Sequence, residues 1–282
     1  MKNPRPTCPN VACANHTKPP QGFYRKKGYR TLVHNSKKVP KYQCKACGAY
    51  FCATQSKPTR QQHRPDLNAE IFKLAVSGVS MRRMETLLGC AKQTIARKVA
   101  LLAKQAQAEH ARFLANPSNH TTHAMMDELE TFVHARWKQL AVPVVIRKKT
   151  GHILAFDVCR KPTNMPKTNH AWTLDQRPQV VPAVMSAAAP ALKPQATFTT
   201  DGGPSYPKWL KASQLNVVHE VKHSPMGNTD FDPLFGINVT FAKMRNDLAR
   251  LGRKTWTTTK SIQGLRNHLW LYVAWTNGYR LK

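Results

Sequence analysis

Two close pairs of cysteines stand near the beginning of the 282-residue chain, Cys8 with Cys13 and Cys44 with Cys47. Each pair fits a β-turn, and two such turns can place four thiolates around one tetrahedral ion. Soft thiolate ligands in a closed site favour zinc. Gly48 follows the second pair, and basic and aromatic residues alternate over 23–29, which is typical of a zinc ribbon. The spacing therefore predicts a structural Zn²⁺ site whose metal supplies much of the module's folding free energy.

The remaining cysteines and two histidines leave alternatives open at this site. The first pair is more widely spaced than the second, so Cys52, His16 or His34 can replace one of its members as a ligand. Four buried, reduced cysteines without a metal are a further alternative. Seven cysteines in a chain with no recognisable export signal argue against a disulfide framework. The sequence assigns no role to Cys52, Cys90 or Cys159.

The carboxylates are the second group of residues that can do chemistry, and the chain has only 14 of them. Asp127, Glu128 and Glu130 crowd the start of a predicted strand. Asp201 stands after a short apolar strand and before two glycines, and strand ends are where open α/β sheets build their sites. Alternation along the strand places Asp127 on one face and the two glutamates on the other.

Two aspartates from neighbouring strands can together hold Mg²⁺ or Mn²⁺. Such ions neutralise a scissile phosphate and activate an attacking oxygen, so Asp127 and Asp201 predict phosphoryl-transfer chemistry. The alternative is that both aspartates are turn or cap residues and that the acidic cluster pairs with lysines.

The charge balance points to the partner. Against the 14 acids stand 44 Lys and Arg, which leaves a net charge of +30. Nucleic acid, held largely through its phosphates, is the expected partner, ahead of an acidic protein or an anionic lipid surface. The longest apolar runs, 140–146 and 269–275, are far shorter than the roughly 20 residues that span a bilayer. The sequence predicts a folded, soluble, cytoplasmic protein that does not enter a membrane.

Residues 66–107 contain apolar stripes typical of three short helices. The first helix ends near Gly78, Ser80 caps the second, and the third begins at Lys92 after a turn at Gly89. This order predicts a helix-turn-helix unit whose third helix reads the major groove of DNA, the alternative being a generic three-helix bundle with a basic face. The residues expected to face the DNA are Lys92, Gln93, Thr94, Arg97 and Lys98.

The elements that must position the acids follow this unit. Strands are predicted over 125–135, 142–147, 152–158, 196–200 and 216–221, with helices over 182–192 and 205–212. Two amphipathic helices close the chain, each with apolar residues at steps of three and four. The predicted organisation is a multi-domain α+β chain: a zinc ribbon over 1–60, the helix-turn-helix unit over 65–108, a linker over 109–123 and a mixed-sheet domain over 124–282.

With these motifs in this order, the sequence resembles the transposases of the insertion-sequence-one type, which belong to the DDE group. The resemblance covers nearly the whole chain. Its most specific segments are 127–133, with Asp127-Glu128-Leu129, then 200–202, and 247–255, followed by Lys260-Ser261. It implies a ribonuclease H-like catalytic domain and places the first two catalytic aspartates of the family at Asp127 and Asp201.

The same resemblance implies a function. It implies a DNA transposase that binds the inverted repeats at the ends of its element, cleaves there and joins the 3′ ends to target DNA by two-metal phosphoryl transfer. The working form is expected to be a homo-oligomer on double-stranded DNA, associated with the nucleoid. A catalytically inactive DNA-binding protein derived from a transposase is the main alternative, and a nuclease without strand transfer is another.

One position departs from the family pattern. The third acid of the family, normally a glutamate, falls on Asn238, which makes an Asp-Asp-Asn site. An amide oxygen can ligate a metal but brings no charge, so it should weaken a second ion. Related families with Asp-Asp-Asn sites exist, so Asn238 is expected to be the third catalytic ligand. Asp230 and Asp232 are alternative acids, but they lie ahead of the predicted helix.

Overall fold

The structure is a computed structural model that describes residues 6–31, 36–52, 62–163, 172, 174–223, 232–252 and 255–281. The chain divides into two compact units, one formed by residues 1–66 with residue 282 and the other by residues 67–281. Among the described residues, no helix combines the length and the apolar character needed to span a membrane.

The first unit contains a three-stranded antiparallel sheet in the order β1-β2-β3, with β1 at Tyr24–Thr31, β2 at Lys38–Cys44 and β3 at Tyr50–Cys52. Its core is small. Phe23 and Phe51 are buried and stack with their ring centroids 5.7 Å apart, and three buried cysteines join them in this cluster.

The second unit begins with three helices: α1 at Leu67–Ala75, α2 at Met81–Leu88 and α3 at Lys92–Ala115. As predicted, the Ser80 hydroxyl accepts the backbone N–H of Arg83 at the start of α2, and Gly89 takes the left-handed conformation after it, with φ 56°. Helix α3 differs from the prediction, because it continues into residues 109–115, where a linker was expected. Its buried stripe extends through Ala106 to His110, which keeps this stretch helical.

The rest of this unit is built on a mixed sheet. The strands are β4 (Thr121–Phe132), β5 (Gln139–Arg147), β6 (Ile153–Phe156), β7 (Cys159–Arg160), β8 (Leu192–Thr200) and β9 (Val217–Val221). Their order is β6-β5-β4-β8-β9, and the two-residue β7 pairs with β5. Strands β4, β5 and β6 are antiparallel neighbours, whereas β8 is parallel to both β4 and β9.

Helices cover both faces of this sheet, with α4 at Arg177–Ala188, α5 at Tyr206–Ser213, α6 at Phe235–Asp247 and α7 at Ile262–Thr276. Alternate residues of β4 face opposite ways: Met125 and Leu129 pack with α6 and α7, whereas Ala124 and Met126 pack with α4 and α5. Strand β5 is buried from Leu140 to Ile146 because it is central and covered on both faces.

The predicted order of three strands, helix, strand, helix, strand and two helices is confirmed, as is the α+β class with a mixed sheet. Several boundaries differ. The first strand begins at Thr121 rather than at residue 125, and the helix predicted over 182–192 begins at Arg177 and ends at Ala188. A 3-10 turn at Ala189–Ala191 follows that helix, and Leu192 already belongs to β8.

The three N-terminal helices pack against the C-terminal part of the same unit. Leu271 of α7 is fully buried in a cluster with the apolar residues of α1, α2 and α3. The backbone N–H of Gly78 donates to the Asp247 carbonyl at 2.6 Å. The sequence predicted separate domains over 65–108 and 124–282, but the structure places both stretches in one compact unit.

Candidate functional site

The four predicted cysteine ligands lie together. The sulfur atoms of Cys8, Cys13, Cys44 and Cys47 are all within 4.8 Å of one another. The Cys8 and Cys47 sulfurs are 3.4 Å apart, and those of Cys13 and Cys44 are 3.9 Å apart. Four thiolates bound tetrahedrally to zinc at about 2.3 Å lie roughly 3.8 Å from one another. The cluster can therefore hold a structural metal such as zinc.

The surroundings of the cluster shift the pKa values of its thiols in opposite directions. Burial opposes ionisation of the Cys44 thiol, but the Asn15 side chain and the backbone N–H groups of Cys47 and Ala46 donate to its sulfur and lower its pKa to about 6. Burial raises the pKa of the Cys8 thiol to about 12, so a cation is needed to hold its deprotonated form.

The alternative ligands do not take part among the described residues. His16 bonds through Nδ1 to the Cys8 carbonyl, at 2.7 Å, and Cys52 lies in β3 outside the four-sulfur group. His34 lies outside the described residues.

The two predicted aspartates lie on neighbouring strands of the mixed sheet. Met126 of β4 pairs with Thr200 of β8 in parallel register, so Asp127, in the middle of β4, lies beside Asp201, which directly follows the carboxyl end of β8. Both line an open cleft of about 350 Å³. The other residues that line this cleft are Gly202, Gly203, His223, Leu234 and Asn238. The structure thus brings together the three side chains that the sequence predicted for this site.

Asp127 is half-buried at the cleft. Burial, and after it the charge of Asp201, raises the pKa of Asp127 to about 6, against hydrogen bonds from the Glu128 backbone N–H and the Tyr206 hydroxyl. Tyr206 is the first residue of α5 and is buried. A divalent cation in the cleft would relieve the repulsion between the two carboxylates.

The Asp201 turn is compact. Oδ1 of Asp201 accepts the Gly203 backbone N–H at 3.1 Å. A Cβ atom on Gly203 would lie 3.1 Å from both this oxygen and the Tyr206 ring, so a side chain there would disturb both carboxylates. The two glycines after Asp201 are therefore part of the site.

Asn238 contributes from the first turns of α6. It is exposed, and its Nδ2 donates to Oδ2 of Asp232 at 2.7 Å, which leaves the amide oxygen as the atom that can ligate a cation. The other oxygen of Asp232 accepts the Leu234 backbone N–H at 2.9 Å. Asp232 therefore orients Asn238 from outside the cleft lining, and Asp230 lies outside the described residues.

The two glutamates of the acidic cluster have other partners, as strand alternation predicted. Glu128 lies 3.8 Å from Arg177, and burial raises its pKa to about 7 despite that charge. Glu130 forms an ion pair with Lys161. Neither glutamate lines the cleft.

Most of the residues predicted to contact DNA lie on the accessible face of α3. Lys92, Gln93 and Arg97 are exposed on α3 and Thr94 is half-buried. The prediction for Lys98 is wrong, because its side chain is only 5% exposed and its Nζ donates to Oδ1 of Asn68 at 2.8 Å. Position 98 lies three residues after Ile95, which places it on the buried stripe of α3.

His223 is the cleft residue that the sequence reasoning missed. A single histidine after an edge strand carries no motif, and the signal that could have found it is Gly202, the first glycine after Asp201. The chain matches no family model, and no curated protein matches it.

Proposed function

We propose that this chain is a DNA transposase of the DDE group, similar to the insertion-sequence-one type. The observation that carries the proposal is the cleft beside the middle of β4 and the carboxyl end of β8, which Asp127, Asp201 and Asn238 line together. The net charge of +30 supports a polyanionic substrate.

The sheet supports the catalytic part of the proposal. Numbered from β4 and without the short β7, its strand order is 3-2-1-4-5. The second strand, β5, is antiparallel to β4 and β8, the two strands beside the site. The family resemblance implies a ribonuclease H-like domain, and this mixed order is compatible with one. In that arrangement the first and fourth strands are neighbours and carry the two aspartates.

Each side chain would have a distinct task. Mg²⁺ or Mn²⁺ bound between Asp127 and Asp201 would neutralise the scissile phosphate and activate the attacking oxygen. The Tyr206 hydroxyl holds the Asp127 carboxylate in place, and the Gly203 N–H holds that of Asp201. Asn238 would add a neutral oxygen ligand, with Asp232 fixing the orientation of its amide.

Recognition of the element ends is assigned to α2 and α3. Exposed Arg82, Arg83, Lys92, Gln93 and Arg97 lie on these two helices. Guanidinium and amide groups of this kind can donate to base edges in the major groove, while lysines contact phosphates. We propose the inverted repeats of the element and target DNA as partners, a homo-oligomer on DNA as the working form, and the nucleoid as the place of action.

A second candidate function is a binding protein that retains the catalytic scaffold without activity. The neutral Asn238 favours it, because two carboxylates and an amide bind a pair of divalent ions less strongly than three carboxylates. A nuclease without strand transfer is a third candidate.

Cleavage assays separate these candidates. The probe is a plasmid that carries the DNA flanking the reading frame, incubated with the full chain and Mg²⁺ or Mn²⁺. The transposase predicts metal-dependent cleavage at the element ends and joined products. Cleavage without joined products would indicate the nuclease, and binding without cleavage under both metals would indicate the inactive scaffold. Asn238→Ala is expected to abolish most cleavage while DNA binding persists.

A further inference from the structure

His223 follows the edge strand β9 and reaches the cleft from there. Thr200 pairs with Val221 in parallel register, and the Lys222 backbone N–H donates to the Thr200 carbonyl at 3.0 Å. The next residues of the two strands, Asp201 with Gly202 and then His223, therefore come together beyond the end of the sheet. The imidazole lines the same cleft as Asp127 and Asp201.

The histidine ring occupies the space that a side chain on Gly202 would need. A Cβ atom on Gly202 would lie 1.8 Å from Cε1 and 2.4 Å from Nδ1 of His223. The backbone of Gly202 does not itself call for glycine, because its φ lies outside the left-handed region. A side chain at position 202 would therefore displace the imidazole from this position.

The composition of the cleft gives the imidazole a role. Two of its lining residues are carboxylates, which repel a phosphate, and one of the two amide hydrogens of Asn238 is already donated to Asp232. Among the described lining residues, the side chains that can offer an N–H to an anion without giving up such a bond are His223 and, through its second amide hydrogen, Asn238, and the imidazole is the one that lies against Gly202 beside Asp201. Among the described residues, His223 and the two aspartates do not form a group of close ligand atoms like that of the cysteines.

We propose that His223 is a further functional residue of this cleft, one that donates a hydrogen bond to the phosphate of a nucleic acid bound over Asp127 and Asp201, and that Gly202 is glycine to make room for it. The proposal rests on the proposed function, because it takes the cleft as the place where DNA phosphates bind.

The first test is kinetic and uses the full chain with the flanking-DNA plasmid. Loss of a hydrogen bond to a charged phosphate should lower the cleavage rate about tenfold to a hundredfold in His223→Ala. Gly202→Ala should lower it similarly by displacing the ring, and the double variant should be no slower than His223→Ala alone. His123→Ala is the matched control, since His123 bonds to Thr199 on the same sheet and does not line the cleft.

The second test does not depend on cleavage. Spectra of ¹⁵N-labelled histidine rings would be recorded with a DNA duplex from the flanking sequence and Ca²⁺ in place of Mg²⁺, with His223→Gln identifying the signal. A shift of the His223 signal on adding DNA is expected in the parent and absent in Gly202→Ala.

The two tests distinguish failure of the inference from failure of the proposed function. A parent that cleaves DNA while His223→Ala keeps the parental rate and the ring signal does not move would overturn the inference alone. A parent without cleavage whose His223 signal shifts with DNA would overturn the proposed function and leave the phosphate contact standing. A parent that does not cleave DNA and whose His223 signal does not shift on adding DNA would overturn both the inference and the proposed function.

Discussion

The first unit should depend on its metal for folding. Among its described residues, the buried apolar side chains besides the cysteines are Phe23, Val39 and Phe51, which together contribute about 5–9 kcal/mol on burial. Zinc bound to four thiolates contributes about 10–16 kcal/mol in comparable small modules. The metal therefore outweighs the apolar core, and removing it should unfold the unit.

The assay uses the segment 1–66, which forms a compact unit. Purified with zinc, it should contain about one equivalent of metal by mass spectrometry. A chelator should remove the dispersion of the amide signals in its NMR spectrum, which shows unfolding. Cys44→Ser should do the same, whereas Cys52→Ser, in the same small sheet but outside the sulfur cluster, should keep both metal and fold. A segment that stays folded after complete metal removal would refute the reasoning.

Three other predictions concern the second unit. Leu271→Ala should destabilise the full chain by about 2–5 kcal/mol in urea denaturation, whereas the exposed Leu174→Ala should change stability by less than about 0.5 kcal/mol; equal small effects would contradict the packing of α7 on the N-terminal helices. Because burial raises the pKa of Asp127 from 3.8 to about 6, its ionisation lowers stability as pH rises through that window. Asp127→Asn should therefore stabilise the metal-free chain by up to about 3 kcal/mol at pH 8 and by little at pH 4 in thermal unfolding, and an equal gain at both pH values would count against this. Arg97→Ala should cost about 1–3 kcal/mol of binding to the flanking DNA relative to random DNA, whereas Lys98→Ala should lower stability and leave that selectivity intact; binding titrations with both DNAs would show the reverse if Lys98 faced the groove.

Local sequence patterns were sufficient to predict the order of the strands and helices, the cysteine cluster and the two aspartates of the cleft. Alternation located β4 and separated Asp127 from Glu128 and Glu130, and cysteine spacing located the sulfur cluster. Asp201 could be found because a strand end followed by glycines is a local signal. These features depend on residues close in sequence, which is why the amino-acid sequence alone was enough to predict them.

Long-range packing explains what the sequence did not reveal. Helix α3 continues through the expected linker because His110 is buried, with hydrogen bonds to the Tyr279 hydroxyl and the Leu154 carbonyl, far away in the chain. His223 enters the cleft only because β9 pairs with β8 in parallel. The helices join the C-terminal part through Gly78 and Asp247, a contact that no local pattern predicts.

Lys98 was misplaced for a different reason. Its charge suggested the exposed face, but its helical position between Ile95 and Leu102 puts it on the buried stripe, where Asn68 provides a partner for the ammonium group. In this case periodicity was the better guide than residue type.

The proposal that the cleft cuts DNA is tested most directly by comparing the parent with Asp127→Asn and Glu130→Gln in metal-dependent cleavage of the flanking DNA. Both changes remove one carboxylate from β4, but only Asp127 lines the cleft, while Glu130 pairs with Lys161 on the other face. We expect Asp127→Asn to abolish cleavage and Glu130→Gln to retain the parental rate. Parental cleavage by Asp127→Asn, or an equal loss in both variants, would contradict the assignment of the site.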